Sequence, residues 1–253
     1  MRPNAMVKNF ITVILAAEAI FNLAWAGPPF ITDDPEPVKY QTWEVNYAIY
    51  KTWRQGSASA NLPTVDINYG ASPNVQLHVQ PSYSYERTST DRHWGIDDTQ
   101  VGVKYRFLNI EQDDSSIMAG IYPMFQMPTG NRGLGPNRGK SQSFIPLWLQ
   151  RSSEKWTIYG GTGYWINPGI GYKNSVYVGG AALYQVMPSL QLGMEIFHET
   201  PDAVDGQSTA GFNLGGIYNL AHEYNWLFSA GRGLVNAAAT NQFSVYSALQ
   251  VLY

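Results

Sequence analysis

Acidic, basic and amide side chains recur at alternate positions in the first half of this chain, and they are the residues best suited to act on a solute. Alternate residues of a β-strand point to the same face, so these side chains would share one polar surface. Charged groups around a pore select the solutes that pass, whereas groups paired with one another only satisfy buried polar atoms. The candidates are Glu44, Asn46, Asp66, His78, Gln80, Lys104 and Arg106.

Enzymatic and metal chemistry have much less support. The chain contains no cysteine, which excludes disulfides, thiolate nucleophiles and cysteine-ligated metals. Its four histidines, His78, His93, His198 and His222, lack the short spacings typical of metal ligands. Only His198, with Ser208 across a loop, could form the nucleophile and base pair that a lipase-like barrel needs. We therefore expect no enzymatic activity, no metal and no cofactor.

The composition restricts the partners of the protein. Its 253 residues include 16 Lys and Arg, 19 Asp and Glu, 24 Gly and 17 Tyr, and the formal net charge is −3. So many aromatic residues with so few charges are untypical of a disordered chain. Nucleic-acid-binding proteins usually carry clustered basic residues, which this weakly acidic chain lacks, and we expect no nucleic-acid partner.

The N-terminus has the pattern of a secretory signal peptide. A basic start precedes an apolar run at 10–17, and Ala24-Trp25-Ala26 matches the small-x-small pattern of a cleavage site. The apolar run is shorter than the roughly 20 residues that a membrane-spanning helix needs. We expect a cleaved signal peptide at 1–26, an N-terminal periplasmic segment at 27–40 and a single barrel domain at 41–253.

After the signal peptide the dominant hydrophobic period is two residues. In 74–86 the odd positions are mostly apolar and the even positions polar, and 98–107 repeats this alternation. Transmembrane β-strands need about 9–11 residues, and bacterial single-chain barrels have even strand numbers. The pattern predicts an all-β fold, a single antiparallel up-and-down transmembrane β-barrel of about 12 strands, near 41–51, 62–70, 74–86, 98–107, 116–127, 143–151, 155–166, 175–186, 189–199, 209–220, 223–234 and 242–253.

The connections alternate between long and short, which is typical of barrels in the bacterial outer membrane, with extracellular loops and periplasmic turns. Both termini then fall on the periplasmic side. The last strand ends on Tyr253 and resembles the terminal strand that the barrel-assembly machinery reads. Trp and Tyr near strand ends, including Trp43 and Trp156, suit two girdles at the lipid interfaces. A soluble β-sandwich or lipocalin-like barrel would also alternate, but its second face should carry more charges.

Closing the short turn at 71–73 predicts the first contacts of the polar row. Closing this turn places Asp66 near His78. Closing the first hairpin places Asn46 beside Asp66, with Glu44 next to Asn46 on the same face and nearer the periplasmic end. These groups would lie in the periplasmic half of the barrel.

Closing a loop at 87–97 extends the row across the next hairpin. It sets His78 near Arg106 and Gln80 near Lys104. The complete row is either a charged constriction or a network of salt bridges and hydrogen bonds, and both interpretations remain open. Aromatic and apolar residues on the same inward face could stack a solute or simply fill a narrow barrel, namely Met118, Tyr122, Met124, Tyr159, Trp165, Tyr177, Leu183, Ile217, Leu227 and Tyr246.

The longest predicted loop, 128–142, is rich in glycine and basic residues. It contains Arg132, Arg138 and Lys140 and no acidic residue. These side chains could bind lipopolysaccharide phosphates, or the loop could fold into the barrel mouth as a gate. An ordinary solvated loop is the third interpretation.

Several motifs resemble a known bacterial family. The start of the mature chain at 27–38, GPPFITDDPEPV, followed by Trp43-Glu44, is similar to the opening of the MetA-pathway phenol-degradation proteins, often described as transporters. Asn68-Tyr69-Gly70, the run at 102–107 and Met127-Pro128-Thr129-Gly130 are similar as well. The resemblance covers nearly the whole mature chain. It implies an outer-membrane barrel that passes small compounds, aromatic or apolar ones among them.

Two functions follow from these observations. The first is an outer-membrane channel for passive diffusion of small solutes, because the short stretch at 27–40 is no plug-sized domain of the kind found in energised uptake receptors. The second is a structural or surface-interaction barrel that acts through loops 87–97 and 128–142. A continuous lumen would favour the channel, and a lumen blocked by Tyr122 and its neighbours would favour the structural barrel.

Overall fold

A computed structural model describes residues 29–131 and 141–253 as a closed antiparallel β-barrel. The predicted signal peptide lies outside the described residues, and so does most of the predicted loop at 128–142. Closure joins the first strand to the last, with Glu44 opposite Leu252 and Trp53 opposite Phe243. The predicted all-β, up-and-down barrel is confirmed.

The wall consists of fifteen β-elements, and each of its hairpins joins neighbours in sequence. The elements are β1 (Trp43–Arg54), β2 (Ser57–Ser72), β3 (Val75–Gln80), β4 (Ser82–Arg87), β5 (Arg92–Ile96), β6 (Thr99–Gln112), β7 (Ser115–Ile121), β8 (Met124–Met127), β9 (Gln142–Ser153), β10 (Trp156–Ile166), β11 (Ser175–Met187), β12 (Leu190–Glu199), β13 (Thr209–Ala221), β14 (Tyr224–Val235), the short helix α1 (Ala237–Thr240) and β15 (Phe243–Leu252).

Three successive strands of the wall are each divided into two β-elements. The fifteen elements therefore correspond to twelve strands. Pro81 separates β3 from β4, residues 97–98 separate β5 from β6, and Tyr122-Pro123 separates β7 from β8. A proline has no N–H to donate to a neighbouring strand, so it removes a rung from the hydrogen-bond ladder. Counted by passage, the barrel has the twelve strands that were predicted.

The strands extend beyond their predicted ends on the loop side. The predicted loop 52–61 is largely strand, because β1 continues to Arg54 and β2 begins at Ser57. The predicted loop 87–97 likewise contains β5, which pairs with β4. Backbone hydrogen bonds continue after the apolar pattern ends, since every strand N–H and C=O needs a partner.

The two faces of the wall have opposite character. On β9, Ile145, Leu147 and Leu149 are exposed on the outside, while Trp148 and Gln150 are buried in the lumen. The same alternation exposes apolar side chains around the outer wall, which suits contact with lipid. No helix in the described part of the chain is long and apolar enough to cross a membrane.

Aromatic pairs lie near both ends of the wall. At the end with the short connections, here called the turn end, the rings of Trp43 and Tyr69 are 4.6 Å apart. At the opposite loop end, the rings of Trp53 and Phe243 are 5.7 Å apart. Strand β1 begins at the turn end and β15 finishes there, because the backbones of Trp43 and Tyr253 are hydrogen-bonded to each other.

Candidate functional site

Residues 29–40, here called the strap, run through the turn-side half of the barrel. Thr32 is fully buried and Phe30 is only 8% exposed, in contact with an apolar cluster of wall residues that includes Leu183 and Leu227. We expected a periplasmic segment at 27–40, but residues 29–38 lie within the lumen instead. The physical reason is that the inner wall offers hydrogen-bonding groups to the strap at several heights.

One buried carboxylate holds the upper part of the strap. Glu195 on β12 is completely buried and accepts hydrogen bonds from the backbone N–H groups of Ile31 (3.2 Å) and Thr32 (2.5 Å). The same carboxylate accepts hydrogen bonds from Tyr177 (3.2 Å) and Asn213 (2.6 Å). Two of these four hydrogen bonds come from strap N–H groups that would otherwise be buried without an acceptor. Glu195 therefore anchors the upper part of the strap.

One buried cation holds the middle of the strap. The Nζ of Lys104 on β6 lies 3.0 Å from a carboxylate oxygen of Asp33 and 3.4 Å from one of Asp34. Lys104 is 1% exposed, so its charge needs these acidic partners. Burial raises the pKa of the Asp34 carboxyl, and the nearby Lys104 ammonium opposes that shift.

Two glutamines hold the lower part of the strap. Gln76 on β3 accepts a hydrogen bond from the backbone N–H of Val38 (2.9 Å). Gln150 on β9 donates one to Glu36 (3.0 Å), and burial raises the pKa of Glu36 to about 6. At the turn end, a side chain at Gly70 would collide with the backbone carbonyl of Lys39 in the strap.

Four residues of the predicted polar row form one hydrogen-bonded cluster. Asn46 donates to Glu44 (3.0 Å) and to Asp66 (3.2 Å), and the Nδ1 of His78 lies 2.9 Å from Asp66. Asn68, which the sequence did not single out, lies within hydrogen-bond distance of both Asp66 and His78. The cluster is in the turn-side half, where the strap also lies.

The other predicted contacts of the row are wrong. The register places His78 opposite Gly102 and Gln76 opposite Lys104. Our pairing of His78 with Arg106 and of Gln80 with Lys104 is displaced by four residues. The reason is that the chain turns between Arg87 and Arg92, whereas we centred the turn on a loop at 87–97.

The remaining predicted residues therefore separate. Arg106 donates to Asn74 (3.1 Å) and to the carbonyl of Pro73 at the turn end. Tyr122 lies between two members of the row, because its ring contacts the His78 ring edge-on at 5.6 Å and lies 5.0 Å from the Nζ of Lys104. Gln80 is nearer the loop end and contacts none of these residues.

Above the strap the lumen opens into a cavity of 420 Å³, here called the chamber. Pro29, Phe30 and Ile31 of the strap form its floor. Its wall consists of Ala48, Tyr50, Asn61, Thr64, Gln80, Ser82, Asp97, Asp98, Gln100, Gln126, Asn213, Ser229 and Tyr246.

Other candidates from the sequence have no described site. Arg132, Arg138 and Lys140 lie outside the described residues. Across residues 29–131 and 141–253, no group of three His, Asp or Glu side chains is placed to hold a metal ion. His198 is on the outer face of β12, opposite Val178 and Ala210.

The strap and its anchor were missed by sequence reasoning, although signals for them exist. Glu195 is an acid at an inward position of β12, between the outward residues Met194 and Ile196. A side chain at Gly179 on β11 would strike the hydroxyl of Thr32. An inward acid near the middle of a strand and an inward glycine on the adjacent strand are therefore the signals that the wall accepts another segment of backbone.

The fold is similar to solved outer-membrane proteins. A COG4313 outer-membrane channel from Pseudomonas putida F1 aligns with a TM-score of 0.64 and 17% identity, over 87% of this chain and 98% of that one. The KdgM porin aligns with a TM-score of 0.52 and 10% identity, over 82% of this chain and 98% of that one. The NanC porin aligns with a TM-score of 0.50 and 9% identity, over 83% of this chain and 97% of that one. No protein-family model matches the chain, and no curated protein matches its sequence. The chain therefore has the fold of an outer-membrane β-barrel.

Proposed function

We propose that this protein is a channel of the bacterial outer membrane through which small solutes, aromatic or apolar ones among them, diffuse passively. The observation that carries this proposal is the 420 Å³ chamber inside the barrel, which has both apolar and polar lining residues. Ligand sites are typically concave and combine an apolar surface with a few polar groups. The resemblance to MetA-pathway phenol-degradation proteins and the fold shared with a COG4313 channel support the same conclusion.

The strap is the part of the channel that has to move. It fills the turn-side half of the lumen below the chamber, so a solute passes only when the strap shifts. Most of its attachments are hydrogen bonds and one ion-paired lysine, which water can replace. The polar cluster of Glu44, Asn46, Asp66 and His78 then lines the constriction that the strap uncovers.

The protein would be located in the outer membrane, with lipids, lipopolysaccharide and the assembly machinery as partners. A signal peptide at 1–26 would direct the chain across the inner membrane, and the apolar outer wall would lie in the outer-membrane lipids. Strand β15 (Phe243–Leu252), which closes the barrel against β1, would be read by the assembly machinery. Lipopolysaccharide phosphates would contact Arg132, Arg138 and Lys140.

A second function is favoured by the strap itself. The full burial of Thr32 and the near-complete burial of Lys104 favour a turn-side half that is closed with the strap in place. A barrel that keeps this arrangement permanently would be structural, or would act on the surface through its loops.

A reversible cross-link distinguishes the two functions. The chain has no cysteine, and a Cβ at position 179 would lie directly against the Oγ1 of Thr32. We expect the double variant Thr32→Cys/Gly179→Cys to conduct in planar bilayers when reduced and to close when oxidised. The single variants, treated alike, control for oxidation. Gly179→Cys alone also controls for displacement of the strap, because its Cβ would overlap the Thr32 hydroxyl and crowd Tyr177. Absence of conductance and of solute uptake in the wild type and in the reduced variant would instead favour the structural barrel.

A further inference from the structure

The chamber wall carries a row of glutamines at one height. Gln80 on β3 is opposite Gln100 on β6, Gln100 is opposite Gln126 on β8, and Gln126 is opposite Gln142 on β9. The first three line the chamber, and within the described residues none of the four side-chain amides has a hydrogen-bond partner. Each amide offers two donors and an acceptor to whatever enters.

Two carboxylates extend this polar side of the chamber. Asp97 accepts hydrogen bonds from Asn61 (3.1 Å) and Ser84 (2.5 Å), and Asp98 accepts one from the backbone of Gly130 (2.9 Å). In the described part of the chain, neither carboxylate has a Lys, Arg or His partner within 4.0 Å. No described lining residue of the chamber is basic. The two carboxylates disfavour an anionic solute beside them.

A second part of the chamber surface is apolar and aromatic. It consists of Phe30 and Ile31 of the floor together with Ala48, Tyr50 and Tyr246 of the wall. Asn213 and Ser229 also line the chamber, but they donate hydrogen bonds to Glu195 and to the carbonyl of Pro29. Tyr246 packs against the apolar cluster that contains Phe30. Aromatic rings offer a flat surface against which the C–H face of a ring-shaped solute can pack.

We propose that the chamber selects ring-shaped solutes without negative charge that carry hydroxyl groups on one side and an apolar face on the other, and that it disfavours anions. The hydroxyl groups would bind the glutamine row and the apolar face would pack on the aromatic side. A carboxylate at the same position would meet Asp97 and Asp98. This inference rests on the proposed channel function and adds to it a solute class.

Tracer uptake into proteoliposomes containing the full mature chain tests the inference. Glucose, glucosamine and glucuronate have the same ring and differ in charge, and lipid alone excludes all three. We expect glucose and glucosamine to enter about tenfold faster than glucuronate, because two carboxylates face the solute at close range. We also expect phenyl β-glucoside to inhibit glucose uptake more strongly than methyl β-glucoside does.

Two variants locate the effect in the chamber. Asp97→Asn/Asp98→Asn should bring glucuronate uptake close to that of glucose. The matched control Asp113→Asn/Asp114→Asn removes the same charge from the exposed turn between β6 and β7 and should leave the preference unchanged. Gln80→Leu/Gln100→Leu should slow glucose uptake and leave potassium conductance unchanged.

The outcomes separate this inference from the proposed function. Equal uptake of the three sugars by a conducting wild type would overturn the solute class and leave the channel intact. If the wild type takes up nothing and does not conduct, the channel proposal fails. Equilibrium binding of phenyl β-glucoside and phenyl β-glucuronide to the purified chain then tests the chamber directly, and equal or absent binding overturns the inference.

Discussion

The two halves of the lumen use similar side chains in opposite ways. In the turn-side half, Gln76 accepts a hydrogen bond from the strap and donates one to Asn68. In the loop-side half, Gln80 is four residues further along the same strand and the same face, yet it has no partner in the described part of the chain. One face of one strand therefore supplies both a structural network and a surface that is available to a solute.

This difference has a simple physical origin. Polar groups inside a barrel must be hydrogen-bonded to protein or to water, because an unpaired buried group is costly. The strap satisfies them in the turn-side half, whereas the glutamines above its floor residues Pro29, Phe30 and Ile31 have no hydrogen-bond partner in the described part of the chain. We conclude that the strap sets the depth of the chamber.

The largest effect on the difference between the two halves of the lumen is expected from replacing Lys104, the buried cation below the chamber. Lys104→Met leaves Asp33 and Asp34 buried without their partner, and we expect a loss of about 3–5 kcal/mol in the free energy of unfolding. Urea unfolding in lipid vesicles measures this. Lys155→Met, at an exposed turn, is the control.

A compensating variant tests the same interpretation. Lys104→Met/Asp33→Asn/Asp34→Asn should recover most of the lost stability, because no buried charge is then unpaired. If Lys104→Met costs less than about 1 kcal/mol, the ion pair does not hold the strap.

A smaller effect is expected from the pair of glutamines on β3. Gln76→Ala leaves a buried strap N–H without its acceptor and should cost about 1–3 kcal/mol. Gln80→Ala removes no hydrogen bond within the described residues and should change the unfolding free energy by less than about 0.5 kcal/mol. Each variant is thus the other's control, and equal costs would remove the distinction between the two halves.

The smallest effect is expected from a change of pH, which alters the protonation of Glu36 and so the binding of the strap in the lumen. Burial is the main cause that raises its pKa from 4.5 to about 6, and the charge of Asp34 adds to this. The buried state therefore binds the proton more tightly than a released strap does. This contribution to strap binding is complete below pH 4.5 and is lost as the pH rises through about 6.

Open probability in single-channel recordings measures the consequence. We expect several-fold more open time at pH 7 than at pH 4.5, because the charged Glu36 is poorly accommodated in the lumen. In Glu36→Gln this part of the pH dependence should disappear. An unchanged profile in that variant would assign the titration to another group.

The wall was predictable from sequence where strands are continuous. From β9 to β15 the predicted and observed strands differ by at most two residues at each end, because alternation of neighbouring residues reports directly on a two-faced strand. The prediction was poorer from β2 to β8. There β5 was predicted as part of a loop, while β4 was predicted as the end of a strand, and the misplaced turn displaced the register of the predicted charged row.

The candidate site was only partly predictable, for a different reason. Asp66 and His78 are on adjacent strands, so closing one short turn brought them together. Ile31 and Glu195 are 164 residues apart, and no turn geometry relates them. The chamber depends on that contact, since the strap forms its floor.

By itself, the sequence determined the strands, the apolar outer face and the polar inner face, because these follow from the period of neighbouring residues. Only the tertiary structure decided which inward polar side chains have hydrogen-bond partners and which remain available to a solute. Closure of the barrel brings β6, β9 and β12 around the strap, where Lys104, Gln150 and Glu195 bind it. Those partners are chosen by distance across the lumen, which the local pattern of a strand does not encode.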